Sequence, residues 1–385
     1  MRILVVPKWY PWPELPVFGV FCREHAAALA TRHDVVVLAT LFTPDPPDFR
    51  VFKLTDQVED GLRVLRVRYR RPRLRPLALV CQLAGMAAAV RLLRREGWRP
   101  GVVHAHVYSA ALPALAVGRL SRALVAVTEH YTGFGRGLIT GNERRLARFA
   151  FERADVVAPV SRELEGTLRE LAPKANYVVV PNTVDTDAFE PPAERPPGLR
   201  LLNVAALAEK KGHRFLLEAM TELPEATLVI AGDGELRGEL EERVRELALE
   251  DRVTFSGEQP KHEVARLMRE AGLFVLPSLA ENLPVVLIEA MASGLPAVAT
   301  RVGGVPEMLG DEDGVLVEPE DPPALAAAIR EAAGRAFDPQ AMAARARDRY
   351  SYAAVCERWT EVYAGLASSR GSSSEATRRA TASSE

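Results

Sequence analysis

Cysteine is scarce in this sequence, and its spacing excludes two kinds of cross-link. The 385 residues include three cysteines, Cys22, Cys81 and Cys356, which are far apart and form no Cys-x-x-Cys pair. An odd number with this spacing predicts neither a disulfide framework nor a thiolate metal site. We therefore expect the protein to work in a reducing compartment.

Excess charge and long apolar runs are also missing. The formal net charge is −2, so the overall charge gives no reason to expect a nucleic-acid partner. The first residues, MRILVV, have the composition of a strand rather than of a signal peptide. The longest apolar stretch, Leu77 to Val90, is interrupted by Gln82 and is shorter than the roughly 20 residues that span a bilayer. These absences predict a cytoplasmic protein, with any membrane contact peripheral and on the inner face.

What the sequence does contain is short apolar runs that alternate with helical patterns. The runs occupy 2–6, 34–39, 102–106, 124–128, 155–160 and 177–181, then 200–206, 227–232, 252–257, 273–278, 296–300 and 314–319. The helical patterns between them include 21–31, 77–95, 142–153, 213–220, 235–247 and 262–269. Continuously apolar strands that alternate with helices indicate buried parallel sheets. Two such series predict an α/β fold with two doubly wound domains.

The domain boundary is predicted at a segment rich in proline and charge, EPPAERPPG at 190–198. The expected division is an N-terminal domain over 1–190, a C-terminal domain over 191–350 and an amphipathic helix over 351–367. The last residues, 368–385, have no apolar periodicity, so their composition predicts disorder. Open parallel sheets bind ligands at the carboxyl ends of their strands, so the cleft between the domains is the expected site.

Two carboxylates stand at the ends of an otherwise apolar segment, ENLPVVLIEAMASGLPAVATRVGGVPEML at 281–309. Glu281 follows a predicted strand, Asn282 is suited to cap a helix and Pro284 to begin it. That helix is expected to end near Ala292. Glu289 then lies about 7.5 Å along the helix axis, so the two carboxylates occupy two depths on one wall of the cleft.

This arrangement matches the polarity of a nucleotide sugar. A helix N-terminus attracts phosphate, whereas a carboxylate accepts hydrogen bonds from vicinal hydroxyl groups. Hydroxyls, phosphates and hydroxyls in that order describe a sugar joined through a diphosphate to a ribose. The alternative interpretation is that both glutamates are solvated surface charges.

The same segment resembles the donor-site signature of retaining glycosyltransferases of family four, which have the GT-B fold. Further segments resemble the family in order: WYPWPELPVFGVFCREHAAALA at 9–30, VVHAH at 102–106, TEH at 128–130, VVVPNTVDTDAF at 178–189, KKGHRFLLEAM at 210–220 and LVIAGDGELRGEL at 228–240. The resemblance covers nearly all of residues 1–366, and the first loop resembles bacterial polysaccharide-assembly members. It implies two Rossmann-like domains facing across a cleft, the N-terminal one binding the acceptor and the C-terminal one the donor. The terminal helix should return to the N-terminal domain.

The resemblance also implies roles for individual residues. Glu281 would bind hydroxyls of the donor sugar, and the backbone at Asn282 and Leu283 would meet the sugar and the diphosphate. Glu289 would take the ribose hydroxyls. Lys211 would bind the diphosphate and stabilise it as the leaving group, which suits a cation.

Three further residues join the expected site, and one departure from the family weakens it. His130 would lie near the transferred sugar, binding it or steadying positive charge through its carbonyl; the alternative is a polar core histidine. Gly19 would allow close approach of the first loop to the ligand, or only form a turn, and Gly257 completes the donor-binding set. Ala205 and Ala206 stand where the family has Gly-Arg, so either Lys211 carries more of the charge or another arginine supplies it.

Other polar or flexible positions receive structural interpretations. Gly303 and Gly304 are expected to let the backbone approach the diphosphate. Glu307 is expected to cap its own helix, and the alternative is contact with waters on the phosphate side. His104 and His106 face one side of a strand by the period of two. No carboxylate cluster joins them, so we expect no metal and no cofactor besides the donor.

The predicted reaction is transfer of a sugar from a nucleotide diphosphate sugar, with retention at the anomeric carbon. By resemblance no protein nucleophile is needed, and the enzyme acts by positioning and charge stabilisation. The expected acceptor is a glycan or a lipid-linked intermediate. Alternatives are a GT-B epimerase of nucleotide sugars and a binding protein without transfer activity.

A membrane contact is suggested by 63–95, where a dense arginine run precedes an apolar helix. Such a segment can dock on an anionic bilayer. The alternative is a solvated loop followed by an ordinary core helix.

Overall fold

Two separate β-sheets organise the chain. The computed structural model describes residues 1–43, 51–70, 75–195 and 197–382. The first sheet has seven strands in the order β3-β4-β2-β1-β5-β6-β7, and the second has six in the order β10-β9-β8-β11-β12-β13. All pairings are parallel except β3 with β4. The prediction of two doubly wound parallel sheets is therefore confirmed.

The elements of the N-terminal domain, in chain order, are β1 (Arg2–Pro7), α1 (Val20–Ala30), β2 (Asp34–Thr43), β3 (Phe52–Glu59), β4 (Leu62–Arg70), α2 (Arg75–Arg95), β5 (Val102–His106), α3 (Tyr108–Ser121), β6 (Leu124–Glu129), α4 (Gly141–Phe151), β7 (Val156–Pro159) and α5 (Arg162–Leu171). The elements of the C-terminal domain, followed by the terminal helix α13, are β8 (Leu199–Val204), α6 (His213–Thr221), β9 (Ala226–Ala231), α7 (Arg237–Glu246), β10 (Val253–Gly257), α8 (Lys261–Glu270), β11 (Leu273–Leu276), α9 (Val285–Ala292), β12 (Ala297–Thr300), α10 (Val305–Met308), β13 (Gly314–Val317), α11 (Pro322–Gly334), α12 (Pro339–Tyr350) and α13 (Tyr352–Ala382).

The antiparallel hairpin β3–β4 is absent from the sequence prediction. Its turn is Asp60-Gly61, with φ of 48° and 79°, the pair of left-handed residues that a two-residue hairpin turn requires. Half of the predicted arginine run is therefore a strand. Three of the four arginines of β4 are in ion pairs: Arg63 with Asp56 and Glu96, Arg66 with Glu59, and Arg68 with Glu14.

The sequence analysis predicted a strand at 177–181, and this prediction is wrong because the segment forms no regular strand. Tyr177 makes an isolated bridge to Val157, and the N–H groups of Val178 and Val180 reach carbonyls of β7. β7 ends at Pro159, which has no N–H to donate, so a regular ladder cannot form there.

Helix α2 is longer and more exposed than a core helix. The segment Leu77–Arg95 is long and apolar enough, by length and composition, to cross a membrane, a test that core helices of soluble proteins also pass. The stretch from Leu77 to Val90 is too short by itself to span a bilayer, and it reaches the required length only when the helix is counted to Arg95. Four aliphatic side chains in its first half are exposed, namely Leu77, Leu79, Val80 and Leu83.

The terminal helix α13 returns to the N-terminal domain. Trp359 and Tyr363 are fully buried in the apolar cluster that covers one face of the first sheet. The hydroxyl of Tyr363 lies 2.7 Å from Nδ1 of His104 in β5. The helix continues past its expected end into the segment predicted to be disordered. Arg370 holds it there by donating to both carboxylate oxygens of Asp155, at 2.7 and 2.8 Å.

A buried carboxylate joins three parts of the chain near the base of the cleft. Glu24 of α1 is 2% exposed, and its oxygens accept from Nζ of Lys261, at the start of α8, at 2.8 and 2.9 Å. Tyr352, the first residue of α13, donates its hydroxyl to the same carboxylate at 2.7 Å. The two domains and the returning helix therefore share one ion pair.

Replacing Lys261 with methionine should lower the free energy of unfolding by about 3 kcal/mol, because Glu24 would stay buried without its ammonium partner. Urea unfolding followed by circular dichroism measures this loss. The double variant Glu24→Gln/Lys261→Met should recover much of it, and Lys174→Met, at an exposed position, is the matched control. A Lys261→Met protein as stable as the wild type would show that the pair does not hold the domains.

Candidate active site

A cavity of about 650 Å³ lies between the two domains. The N-terminal wall is largely aromatic and includes Trp9, Phe21, His130, Tyr131 and Asn182. The C-terminal wall includes Ala205, Ala206, Lys210, Lys211 and the segment from Glu281 to Val286, with Glu289 beyond it. The cavity is bounded by the loops after β1, β6, β8 and β11, which matches the expectation for parallel sheets.

Glu281 and Lys211 form an ion pair at the floor of this cavity. Lys211 Nζ lies 2.5 Å from Glu281 Oε1, and the hydroxyl of Ser278 donates to the same oxygen at 2.8 Å. Both side chains are largely buried. The structure therefore brings together two residues that are 70 positions apart and that the sequence nominated separately.

Asn282 and Leu283 connect the domains rather than cap the following helix. The side-chain amide of Asn282 donates to the carbonyl of His130 at 2.8 Å, and Asn182 donates to the carbonyl of Leu283 at 2.7 Å. The cap of α9 is instead Pro284, which supplies no side-chain hydrogen bond. The prediction that Asn282 caps this helix is therefore wrong, because its amide has a buried partner across the cleft.

Glu289 lies one turn into α9 and lines the cavity. Burial raises the pKa of this carboxyl to about 7, with Lys261 lowering it and Glu24 raising it. The described residues offer it no hydrogen-bond partner, so its oxygens are available to a ligand.

The glycine pair and Glu307 serve the protein rather than the cavity. At Gly303, with φ of 52°, a Cβ would lie 1.7 Å from the Glu281 carbonyl, and at Gly304 it would lie 2.1 Å from that of Asn282. These glycines therefore allow close packing against the loop that carries Glu281. The expectation that they also let the backbone approach the diphosphate stays a prediction. Glu307 accepts from the N–H groups at the start of α5, a helix of the other domain, at 2.9 and 3.0 Å.

His130 belongs to a buried network of histidines. Because Asn182 donates its amide to the Leu283 carbonyl, its oxygen must face the rings. Nδ1 of His130 lies 2.9 Å from that oxygen and therefore carries the proton. Nε2 of His130 must then accept from Nδ1 of His106, also at 2.9 Å. Both ring nitrogens of His130 are thus engaged.

Burial keeps these histidines neutral. It lowers the pKa of His130 well below its usual value, and nearby His25 lowers it further. The pKa of His106 is lowered for the same reason, with contributions from the neighbouring rings. The His130 imidazole is therefore a neutral part of the cleft wall, and its carbonyl accepts the amide of Asn282. Its predicted place beside the transferred sugar stays a prediction.

Among the described residues, Cys22, His106 and His130 offer donor atoms within 4.8 Å of one another, a grouping that ligand types alone would allow to hold a metal. The hydrogen bond between the two histidines uses the nitrogens that face each other. Burial raises the pKa of the Cys22 thiol, which favours a thiol over a thiolate ligand. The expectation that no metal is required stays a prediction.

Gly19 and Gly257 lie beside the cavity and do not line it. Gly19 is buried, with φ of 75°, and a Cβ there would lie 2.3 Å from the backbone of Trp9. Its need for glycine therefore comes from the chain's own loop, and Trp9 is the residue that reaches the cavity. Gly257 ends β10, and the residues after it, Glu258 and Gln259, line the cavity in its place.

The cavity wall also holds the position of the missing arginine and several residues that the sequence prediction did not assign to the site. Ala206 is exposed within the cavity wall, so the position of the missing arginine is open space. Lys210 lines the same wall beside Lys211. The ring of Trp9 packs edge to face against those of Phe21 and Tyr131. The distances between the ring centroids are 6.1 Å to Phe21 and 5.6 Å to Tyr131. The signal for Trp9 and Phe21 was the Trp- and Phe-rich first loop, and the signal for Tyr131 was its position directly after the TEH segment.

Two family models match successive parts of the chain. Residues 18–188 match Glycosyltransferase Family 4, and residues 185–349 match Glycosyl transferases group 1. The boundary between the two matches lies between α5 and β8, where the chain passes from the first sheet to the second.

Individual proteins agree with this assignment. The chain is 29% identical to a glycogen synthase of Mycobacterium tuberculosis over 96% of each sequence. It is 27% identical to a putative teichuronic acid biosynthesis glycosyltransferase, TuaC, of Bacillus subtilis over 86% of this chain and 88% of the relative. Anabaena HepE, solved with UDP-glucose, superposes with a TM-score of 0.72 over 95% of this chain and 100% of its own, at 18% identity. With both halves matched by family models and the two-sheet architecture shared, the chain belongs to the glycosyltransferases of the GT-B fold.

Proposed function

We propose that this glycosyltransferase takes a hexose from a nucleotide diphosphate sugar and transfers it, with retention, to a glycan or lipid-linked acceptor of cell-surface polysaccharide synthesis. The observation that carries the proposal is the Lys211–Glu281 pair on the same cleft wall as the unpartnered Glu289. Lys211 would supply a cation for the phosphates. Glu281 and Glu289 would supply carboxylates for hydroxyl groups of the donor.

The donor would lie along α9. Glu289, one turn into the helix, would accept from the ribose hydroxyls, and Glu281 from hydroxyls of the sugar. The first turn of α9 lies between them and lines the cavity at Val285 and Val286, where the helix dipole favours phosphate. HepE was solved with UDP-glucose, which supports a nucleotide sugar as donor. TuaC carries the name of a teichuronic acid biosynthesis glycosyltransferase, which supports sugar transfer in polysaccharide synthesis.

Retention is supported by the state of the polar groups around the sugar site. The Glu281 carboxylate is already paired with Lys211 and accepts from Ser278, which weakens it as a nucleophile. The His130 ring is neutral and both of its nitrogens are engaged. An acceptor hydroxyl attacking on the face that the diphosphate leaves needs neither group, since the departing phosphate can take the proton. Lys211 would stabilise the negative charge that develops on that phosphate.

The same observations bear on the rival functions. An epimerase needs an acid and a base at the sugar carbon, and the engaged His130 ring supplies neither. A binding protein without activity was suggested by the loss of the arginine at Ala206. The Lys211–Glu281 pair remains intact, which favours an active enzyme.

The acceptor would bind against the aromatic wall of the N-terminal domain. Trp9, Phe21 and Tyr131 line the cavity, and aromatic side chains offer a large apolar surface against which a sugar can pack. A lipid-linked acceptor would also explain the exposed aliphatic side chains of α2, which would rest on the inner face of the cytoplasmic membrane. Because three of the four arginines of β4 are paired with carboxylates, apolar contact rather than their charge would contribute most to this docking.

The stereochemical prediction is that an α-linked donor gives an α-linked product. The donor is first chosen by thermal shift among UDP, GDP and ADP sugars, where a ligand at one hundred times its Kd adds about 2.7 kcal/mol of stability. The product formed on an alkyl glycoside panel is then assigned by its anomeric proton coupling. Lys211→Met should lower kcat by about 100-fold with unchanged stereochemistry. A β-linked product would contradict retention, and an epimerised donor without transfer would identify the rival enzyme.

Glu289 should make binding of the nucleotide depend on its ribose and on pH. The wild type should bind the ribonucleoside diphosphate more tightly than its 2′-deoxy form, and Glu289→Gln should reduce that difference. The carboxyl is protonated below a pKa of about 7 and ionised above it, so the preference for ribose should grow as pH rises through that value. Titration calorimetry at several pH values measures it. A preference independent of pH and of the substitution would place the ribose elsewhere.

Substitution of exposed aliphatic residues in α2 should weaken binding to membranes. The variant Leu79→Asp/Val80→Asp places two charges where these side chains are 56% and 59% exposed, so sedimentation with anionic phospholipid vesicles should fall. Leu120→Asp, at a side chain that is 72% exposed on α3, is the matched control and should bind as the wild type does. Equal sedimentation of all three proteins would exclude docking through α2.

A further inference from the structure

We propose that Lys210 binds the donor diphosphate as the second cation of the site and replaces the arginine that is absent at Ala206. The inference rests on the proposed donor class and goes beyond it by assigning a residue with no role so far. It is argued from the position of Lys210 in the cavity, the charges around it and the open space at Ala206.

The backbone fixes Lys210 at the cleft. Residues Glu209–Lys211 form a single 3₁₀ turn after β8, and Gly212 ends it in the left-handed conformation with φ of 65°. The carbonyl of Lys210 accepts from the N–H of Leu279, in the loop before Glu281, at 2.7 Å. Two consecutive lysines therefore line the C-terminal wall from a turn tied to the Glu281 loop.

The charges of the two lysines are not equally available. Lys211 is neutralised by Glu281 at 2.5 Å. Among the described residues, no carboxylate forms an ion pair with Lys210, although that side chain is only partly exposed. A partly buried ammonium without a partner is unfavourable, and an anion in the cavity removes the cost.

The electrostatic neighbours of Lys210 agree with an anion site. Burial lowers the pKa of Lys210, and the positive charges of Lys211 and Arg136 lower it further, whereas Glu281 raises it. Arg136 belongs to the N-terminal domain, in the turn after β6, so positive charge also acts on Lys210 from the other domain. A diphosphate in the cavity would neutralise Lys210 and would be attracted by the charge of Arg136 as well.

Ala206 supplies the geometric complement. It lines the same wall and is exposed, so its methyl group leaves room that a long side chain would fill. The positive charge that is absent at position 206 is therefore supplied by the unpaired ammonium group of Lys210. An arginine placed at position 206 should be able to take over the role of Lys210.

The test compares nucleotides that differ only in phosphate number. Kd values for UDP and UMP, with the GDP/GMP and ADP/AMP pairs in parallel, are measured by titration calorimetry on the wild type and on Lys210→Met. We expect the wild type to prefer the diphosphate, and Lys210→Met to reduce that preference by about tenfold or more while monophosphate binding changes little. Lys210→Arg should keep the preference, and Ala206→Arg in the Lys210→Met background should restore it.

The controls separate this inference from the proposed donor. Lys174→Met, at an exposed position, should bind every nucleotide as the wild type does. A Lys210→Met protein with the wild-type diphosphate preference would overturn the role of Lys210 and leave the donor class intact. A wild type that binds none of the nucleotides would instead contradict the donor class. Failure of Ala206→Arg to restore the preference would show that Lys210 does not act in place of an arginine.

Discussion

Two side-chain amides each donate a hydrogen bond to a backbone carbonyl of the other domain, and the candidate active site is arranged around them. Asn182 of the N-terminal domain donates to the Leu283 carbonyl, and Asn282 of the C-terminal domain donates to the His130 carbonyl. A buried amide left without partners would be costly, so the two loops are held in one register. The first bond orients the amide that fixes the His130 ring, and the second lies next to Glu281. The geometry of the candidate site and the contact between the two domains therefore depend on the same hydrogen bonds.

The cleft walls carry different chemistry because the two loops have different neighbours. The N-terminal wall is built of rings and neutral histidines, which suits a sugar surface and holds no mobile charge. The C-terminal wall carries two lysines, Lys210 and Lys211, together with four acidic residues, Asp233, Glu258, Glu281 and Glu289. Charges of both signs on one wall would separate the two kinds of donor group, with the phosphates beside the lysines and the hydroxyl groups beside the carboxylates.

The parts of this molecule that the sequence predicted are those encoded locally. Continuous apolar runs predicted most strands of both sheets, and the spacing of Glu281 and Glu289 predicted two depths on one wall. What it missed depends on distant partners. The carbonyl that receives the Asn282 amide, the backbone that Gly303 presses on, and the carboxylates that pair the arginines of β4 are all remote in sequence. The hairpin of β3 and β4 is the exception, since its Asp60-Gly61 turn was visible and was overlooked beside the arginine run.

The return of α13 to the first domain means that the order of the chain and the order of the fold differ. The residues of α1, β1 and β2 leave the ribosome early, yet the cluster they bury against is completed by Trp359 and Tyr363. During synthesis the first domain must therefore wait, with one face of its sheet uncovered, until the second domain has been made. The N-terminal domain is therefore synthesised first but completed last. Until α13 has been made, the apolar surface that Trp359 and Tyr363 later cover is exposed and can bind chaperones.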